Sequence, residues 1–297
     1  MATKPFDVSK FRKTITKSIE GLSIGFRDPD TWISTNNYAL NYLISGDFKR
    51  GVPLGKVTVF AGESGAGKSF ICSGNLVKNA QAQGIYVILI DTENALDEDW
   101  LKALGVDTSE DKLLKLSVAM IDDVAKTINE FMKEYKLLPA EERPKVLFVL
   151  DSLGMLSTEK EITDALNDKQ VRDMTKSQLV KGAFRMLTLK LGQANVPLLV
   201  TNHTYDVIGA YVPTKEMGGG SGLKYAASTI IYLSKKKEKD GTEVVGNIIK
   251  AKTAKSRLSK ENKDVEVRLY YDERGLDRYY GLLELGEIGG LWKNVAG

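Results

Sequence analysis

The chain has 297 residues, which is long enough for one large α/β domain. Its content of 42% hydrophobic and 27% charged residues and its net charge of +3 are ordinary for a globular protein. No apolar run is long enough to span a bilayer, and the basic N-terminus lacks the apolar stretch of a secretory signal, so we expect no membrane partner. With a single cysteine, Cys72, the chain can form no intramolecular disulfide, which favours a cytoplasmic setting. One cysteine and one histidine are also too few for a typical zinc site.

The predicted elements begin with a basic helix in the first 30 residues, followed by a turn at Arg27–Asp30. Helical patterns follow later at about 68–83, 121–135 and 176–193. Five apolar runs have the β-branched content and turn-like flanks of buried strands: Val57–Ala61, Ile85–Ile90, Val146–Leu150, Pro197–Thr201 and Thr229–Leu233. This alternation predicts an α/β fold with a mostly parallel sheet flanked by helices on both faces. Two later alternating runs, Gly246–Ala251 and Val265–Tyr271, predict a C-terminal antiparallel extension.

Basic residues are concentrated between Lys235 and Lys263, where ten lysines and arginines stand against four acidic residues, a local net charge of +6. Such a segment can bind nucleic acid or a nucleotide phosphate. A solvated lysine-rich hairpin is an equally good interpretation of the composition alone.

The most specific motif is GESGAGKS at Gly62–Ser69, which has the Walker A form G-x-x-x-x-G-K-S between an apolar strand and a helical pattern. Its glycines allow the backbone N–H groups to point at phosphate oxygens, and the following helix directs its positive end to the same anion. The motif therefore predicts a nucleotide site. The residues expected to surround the phosphates are Gly62, Glu63, Ser64, Gly65, Ala66, Gly67, Lys68, Ser69 and Phe70.

Within this loop, Lys68 is expected to bridge the β- and γ-phosphates and the Ser69 hydroxyl to ligate Mg²⁺. Asp151 ends the apolar run VLFVLD and is the candidate Walker B carboxylate, placed to hold Mg²⁺ opposite Ser69. The chain has no Asn-Lys-x-Asp sequence for reading guanine, so the predicted cofactors are ATP and Mg²⁺.

A catalytic carboxylate is expected just beyond the strand IYVILID, and Glu93 is the candidate for orienting the water that attacks the γ-phosphate. On position alone, a solvated loop glutamate is the more common explanation. Asp91 is a competing candidate, although it directly follows the strand and can instead cap the next turn.

Several stretches now support a more specific interpretation, because the chain resembles the RecA family of strand-exchange recombinases, and within it the UvsX-type branch of T4-like phages. The similarity covers roughly residues 30–285. The stretches that carry it are Ile33–Ser69, Asp91–Asp107, DALNDKQVRDMT at Asp164–Thr175, NHTY at Asn202–Tyr205, MGGGSG at Met217–Gly222 and AKSRLSKENK at Ala254–Lys263.

The resemblance implies roles for residues around the nucleotide. Glu93 is implied to activate the attacking water, and Asp97 and Trp100 to contact the adenine, with the indole stacked on the base. His203 falls where the family has a polar residue, often glutamine, that senses the γ-phosphate and relays it to a DNA-binding loop. Without the resemblance, Trp100 is better explained as a helical core position and His203 as an ordinary polar residue.

The resemblance further implies two flexible segments lining a filament axis, at about Glu159–Met174 and His203–Gly220. Aromatic and apolar residues there are expected to stack on bases or wedge between them, and basic residues and glycine amides to hold phosphates, without reading sequence. Some of the basic side chains must be solvated helix-face charges, since their spacing is also that of an amphipathic helix. The expected DNA-binding residues are Arg172, Met174, Lys176, Lys181, Arg185, Tyr205, Ile208, Tyr211, Gly219 and Gly220.

Lys255 and Arg257 match a basic pair that, in the family, reaches across the subunit interface to the neighbour's ATP and stabilises charge on the transferring phosphoryl group. Lys250 and Lys252 have the same spacing and stay open as alternatives. Cys72, one turn into the helix after the P-loop, is best explained by core packing.

The implied organisation is an N-terminal oligomerisation segment at 1–32, a RecA-like ATPase core at 33–282 and, at 283–297, the start of a truncated or absent C-terminal lobe. The implied function is a DNA-dependent ATPase and homologous recombinase that forms ATP-dependent helical filaments on single-stranded DNA and pairs it with homologous double-stranded DNA. A recombination mediator and a single-strand-binding protein are expected partners, in the host cytoplasm if the protein is of phage origin. The alternatives are a RecA-fold motor or regulator without strand exchange, such as a ring helicase, and a small-molecule kinase.

Overall fold

The computed structural model describes residues 6–19, 22, 24–26, 28–167, 175–206, 215–218, 220–240, 243–288 and 290–293. The strands are β1 (Trp32–Ile33), β2 (Val52–Pro53), β3 (Val57–Gly62), β4 (Tyr86–Asp91), β5 (Leu113–Ser117), β6 (Val146–Asp151), β7 (Leu198–Asp206), β8 (Lys215–Met217), β9 (Thr229–Asp240), β10 (Glu243–Ser256) and β11 (Asp264–Leu269). The helices are α1 (Val8–Ser18), α2 (Tyr38–Ser45), α3 (Val77–Gln81), α4 (Glu98–Ala103), α5 (Ile121–Leu137), α6 (Glu159–Leu166), α7 (Lys176–Ala194), α8 (Gly220–Ala226) and α9 (Leu282–Ile288). A π-helix at Phe70–Leu76 leads into α3, and a 3₁₀ turn spans Leu153–Met155.

The central sheet has nine strands in the order β11-β10-β9-β3-β7-β6-β4-β5, with β8 paired to β7 outside this path. Strands β3, β4, β5, β6, β7 and β9 pair in parallel, whereas β10 and β11 add antiparallel to β9. Every residue of β3 and β6 is buried, as expected for parallel strands covered on both faces. The predicted parallel sheet and its antiparallel extension are both confirmed.

Each face of the sheet carries its own hydrophobic core. On one face Phe60 and Ile249 pack against α2 and the π-helix, and on the other Phe148 packs against α5 and α7. Burying a side chain of this size stabilises the fold by about 1.5–3 kcal/mol. The fully buried Cys72 belongs to the first core, as its helical position predicted.

Several elements differ from the expectations, among them α6 and β5. The segment Glu159–Met174 was expected to be flexible, and this is wrong for its first half, because Glu159–Leu166 forms α6. A capping box begins that helix: Glu161 N–H donates to Thr158 Oγ1, and Thr158 N–H donates to Glu161 Oε2, each at 3.0 Å. The edge strand β5 has no sequence prediction, because it buries only Leu113 and lacks a continuous apolar run.

The second expected flexible segment, His203–Gly220, is also partly regular. Strand β7 continues to Asp206 and pairs antiparallel with β8, with Thr204 opposite Met217, and α8 begins at Gly220. Residues 168–174, 207–214 and 219 lie outside the described part. Among the described residues there is no helix long and apolar enough to cross a membrane.

Candidate functional site

The P-loop joins the end of β3 to the π-helix and can be built only with glycine at two positions. Gly65 and Gly67 have φ of +69° and +88°, a conformation that residues with a Cβ rarely adopt. A Cβ at Gly67 would lie 2.5 Å from Ile249 Cδ1, and one at Gly65 would lie 2.6 Å from Lys235 Nζ. The loop is therefore a narrow cradle of backbone whose shape and N–H groups fit a polyphosphate.

Lys68 lies inside this cradle. Its buried Nζ donates to the carbonyl oxygens of Gly62, at 3.0 Å, and Glu63, at 2.7 Å. Burial lowers the pKa of Lys68, while Asp151 and Glu93 oppose the shift by favouring the ammonium form. The cradle therefore already holds one desolvated cation for an anionic ligand.

The cradle opens into a cleft of about 250 Å³. It is lined by Gly65, Gly67, Lys68, Ser69, Phe70, Lys235, Asn247, Leu269 and Tyr271. Phe70 makes edge-on contacts with Trp100, with ring centroids 5.1 Å apart, and with Tyr271, at 5.4 Å. An aromatic wall of this kind suits a flat heterocycle. Asp97 instead lies at the N-terminus of α4 and lines a neighbouring depression with Lys115.

Asp151 ends β6 and is buried beside the loop. Its carboxylate accepts hydrogen bonds from Ser73 Oγ at 2.7 Å and Thr201 Oγ1 at 2.5 Å. Neither hydroxyl was predicted from the sequence, although Ser73 lies one helical turn after Ser69 and Thr201 lies within the adjacent strand β7. These two hydroxyls fix the carboxylate in place, and the described residues contain no ready-made group of three or more His, Cys, Asp or Glu side chains for a metal.

Glu93 is paired directly with His203. Its Oε1 accepts a hydrogen bond from Ser152 Oγ at 2.7 Å and lies 3.1 Å from His203 Nε2. Since an ionised carboxylate only accepts, His203 carries its proton on Nε2 in this pair. Burial raises the pKa of Glu93, but hydrogen bonds from His203 and Ser152 and the charge of Lys68 outweigh it, so that the pKa lies below the usual range. Glu93 is thus held ionised.

The competing carboxylate, Asp91, serves the turn. It is 1% exposed, accepts hydrogen bonds from the backbone N–H groups of Glu93 and Leu96 at 3.1 Å, and forms a 3.0 Å ion pair with Lys115. Burial raises its pKa, and the Lys115 and backbone hydrogen bonds lower it more strongly. Because its oxygens are already occupied, Asp91 is the cap that the sequence offered as an alternative.

Contacts link the nucleotide cleft to the β7–β8 hairpin. Asn202, which precedes His203, donates from Nδ2 to the Gly218 carbonyl at 2.8 Å and accepts the His203 N–H at 2.9 Å. Lys215, in β8, forms an ion pair with Glu63 of the P-loop. Neither Asn202 nor Lys215 was singled out from the sequence, where nothing indicates this contact.

Lys255 and Arg257 lie far from the P-loop of their own chain. Lys255 pairs with Ile230 in β9, near the end of that strand opposite the P-loop. Lys255 Nζ donates to the Lys224 carbonyl at 2.5 Å, and Arg257 donates to the Tyr225 carbonyl at 3.1 Å. Both cations therefore sit at the C-terminal end of α8. Burial and then the neighbouring Arg257 lower the pKa of Lys255.

Lys250 and Lys252 are separable from that pair. Lys250 forms a 2.8 Å ion pair with Asp264, whereas Lys252 is exposed and has no ion pair within the described residues. The engaged Lys250 is the weaker of the two alternatives.

The expected DNA-binding residues are only partly in view. Lys181 and Arg185 are exposed on α7, Lys176 forms a 3.3 Å ion pair with Glu161 of α6, and Tyr205 is 54% exposed. Gly220, with φ +65°, begins α8 against Ser177. Arg172, Met174, Ile208, Tyr211 and Gly219 lie outside the described residues.

The RecA N-terminal domain family model matches residues 27–277. The Recombination and repair protein of Enterobacteria phage T4 is 30% identical over 275 residues, which are 89% of this chain and 65% of that protein. Protein RecA of Streptomyces rimosus is 32% identical over 238 residues, 80% of this chain and 60% of its own length. This chain therefore spans less than two thirds of both relatives.

The family match includes the P-loop, Glu93, Asp151 and His203, together with the strands that bring them to one edge of the sheet. It also includes the hairpin that connects this edge to the expected DNA segment. The resemblance stated from the sequence is thereby confirmed, and the chain belongs to the RecA family and has the RecA fold.

Proposed function

We propose that this protein is a DNA-dependent ATPase and homologous recombinase that assembles into ATP-dependent helical filaments on single-stranded DNA. The observation that carries the proposal is the continuous path from the P-loop through Glu93 and His203 to the β7–β8 hairpin. An ATPase whose only task is hydrolysis has no need for this link between the phosphate site and a strand extension. The names of the relatives, Recombination and repair protein and Protein RecA, agree with the proposal.

In this proposal, the loop amides and Lys68 bind the phosphates, and Phe70, Trp100 and Tyr271 bound the adenine. Asp97 lines the neighbouring depression and is proposed to reach the adenine from there. Ser69 and Asp151 would hold Mg²⁺, which would neutralise phosphate charge when bound. Glu93 accepts a proton from the attacking water. Its ionised state and its two hydrogen bonds keep it oriented for that task.

His203 is proposed as the relay between ATP and DNA. Its imidazole meets Glu93, and its backbone accepts from the Gly218 N–H at 3.2 Å, beside β8. A shift of the ring on γ-phosphate binding is then transmitted to both strands of the hairpin, which flank residues 207–214. Residues of this segment and of 168–174, together with Lys176, Lys181, Arg185 and Tyr205, are proposed to hold DNA.

Lys255 and Arg257 are proposed to act on the ATP of a neighbouring subunit, because their strand position keeps them from their own P-loop. Helix α1 buries no residue in the monomer and is proposed to dock on the next subunit, with residues 33–282 as the core. Double-stranded DNA, a recombination mediator and a single-strand-binding protein are the further proposed partners.

The test is hydrolysis of ATP with and without single-stranded DNA, followed by electron microscopy with DNA and a non-hydrolysable ATP analogue. We expect DNA-stimulated hydrolysis, helical filaments, and strand exchange between a circular single strand and a homologous duplex. Closed rings would indicate a motor, and hydrolysis that is indifferent to DNA would contradict the proposal.

A further inference from the structure

The lysine-rich extension of β9 begins beside the P-loop with Lys235. Strand β9 runs parallel to β3, with Leu233 opposite Gly62, the last residue of β3. Beyond that point β3 turns into the P-loop, whereas β9 continues. Alternation along a strand puts Lys235 on the same sheet face as Ile231 and Leu233, which belong to the core beside the π-helix. Lys235 is therefore the first residue of this face to project past the sheet core.

The contacts of Lys235 follow from that position. Its Nζ lies where a Cβ on Gly65 would come within 2.6 Å, so the ammonium rests against the loop backbone. It lines the same cleft as Lys68, Ser69 and Tyr271. Within the described residues Lys235 has no ion pair.

The charges around the cleft indicate a role for Lys235. The cleft is bordered by two ammonium groups, Lys68 at its base and Lys235 above Gly65. The carboxylates that interact with Lys68 belong to Asp151 and Glu93, which come from β6 and from the turn after β4. Glu63 of the P-loop is engaged by Lys215, and no described carboxylate forms an ion pair with Lys235. Like charges around one cleft repel each other in the free protein, and an anion bound between them relieves that repulsion.

We propose that Lys235 is a second phosphate-binding lysine, which contacts the polyphosphate of the nucleotide from the side of the loop opposite Lys68. The inference rests on the proposed function only in that this cleft binds ATP. It assigns this role to Lys235 alone among the basic residues of β9 and β10. It also gives a second reason for glycine at position 65, since a side chain there would displace the ammonium.

The experiment measures competition against a fluorescent ATP analogue without DNA, using ATP, inorganic tripolyphosphate and adenosine as competitors. Lys235→Ala should weaken ATP and tripolyphosphate about tenfold each, the loss expected for one charge-assisted contact, and leave adenosine within twofold. Lys235→Arg should retain most of the affinity. Lys112→Ala, an exposed lysine beside the far edge strand β5, is the control and should bind as the wild type does.

The outcomes separate the inference from the proposed function. If the wild type binds no ATP, or if binding survives Lys68→Ala unchanged, the proposed function fails. If the wild type binds ATP and Lys235→Ala binds it equally well, the inference alone is overturned. Equal weakening of adenosine would also overturn it, because the lysine would then shape the cleft rather than bind phosphate.

Discussion

Replacing Glu93 by glutamine tests the centre of the proposed site with little change of shape. The side chain accepts one hydrogen bond from Ser152 and one from His203 and is 33% exposed. Changing a charged acceptor into a neutral one costs about 0.5–1 kcal/mol for each bond, so unfolding free energy should fall by less than about 2 kcal/mol. A general base contributes about 10²–10⁴-fold to a rate, so turnover should fall at least about 100-fold.

The assay follows phosphate release with saturating ATP and single-stranded DNA, with ATP affinity measured in parallel. We expect Glu93→Gln to bind ATP within about threefold of the wild type, because Lys68 and the loop amides are untouched. Glu110→Gln, an exposed glutamate preceding β5, is the matched control. Turnover within threefold of the wild type, in a variant that binds ATP and DNA normally, would refute the assignment of the base.

The lowered pKa of Glu93 sets the expected pH dependence. A carboxylate whose pKa is lower in the folded state stabilises the fold above its unfolded-state pKa, and this contribution is lost as the pH falls through the folded-state value. Glu93 therefore stays ionised from neutral pH down to about pH 5. Protonation of Glu93 should therefore cause no decline in hydrolysis between neutral pH and about pH 5, and the Glu110→Gln control should show the same pH profile as the wild type.

Three further predictions concern contacts between parts of the chain. Lys68→Ala and Lys255→Ala should each abolish hydrolysis, and an equimolar mixture should recover about a quarter of the wild-type rate, because random mixing restores that share of interface sites; no recovery would place Lys255 outside the neighbour's site. Lys215→Glu should change the free energy of unfolding by less than about 1 kcal/mol, since the ion pair between Lys215 and Glu63 is exposed. The same variant should reduce the stimulation of hydrolysis by DNA, and adding Glu63→Lys should restore that stimulation in the double variant. Trp100→Ala should weaken ATP about tenfold in competition binding and leave tripolyphosphate unchanged, because its contact with the aromatic wall concerns the base.

Sequence reasoning predicted the buried strands well because each is a continuous apolar run. Parallel strands covered on both faces must be apolar along their whole length, and β3 and β6 are. The edge strand β5 has no such run, since one of its faces meets solvent. The helix α6 was missed because its stabilising feature is a reciprocal cap at Thr158 and Glu161 rather than an apolar stripe.

Some parts of the candidate site can likewise be predicted from local sequence, and others cannot. The P-loop can be identified from eight consecutive residues, because its shape depends on glycine dihedral angles and on the helix that follows. The choice between Asp91 and Glu93 needs long-range contacts: Lys115 from β5 engages Asp91, and His203 from β7 engages Glu93.

The linear chain carries the phosphate chemistry of this protein, since the loop, its lysine and its flanking strand are contiguous and locally encoded. The residues that face the loop across the cleft are not encoded locally. Lys235, Asn247 and Tyr271 are more than 160 residues from Gly67 and reach the cleft through the pairing of β9, β10 and β11 beside β3. Strand order is set by packing over the whole sheet, so no local pattern could have placed these side chains above the P-loop.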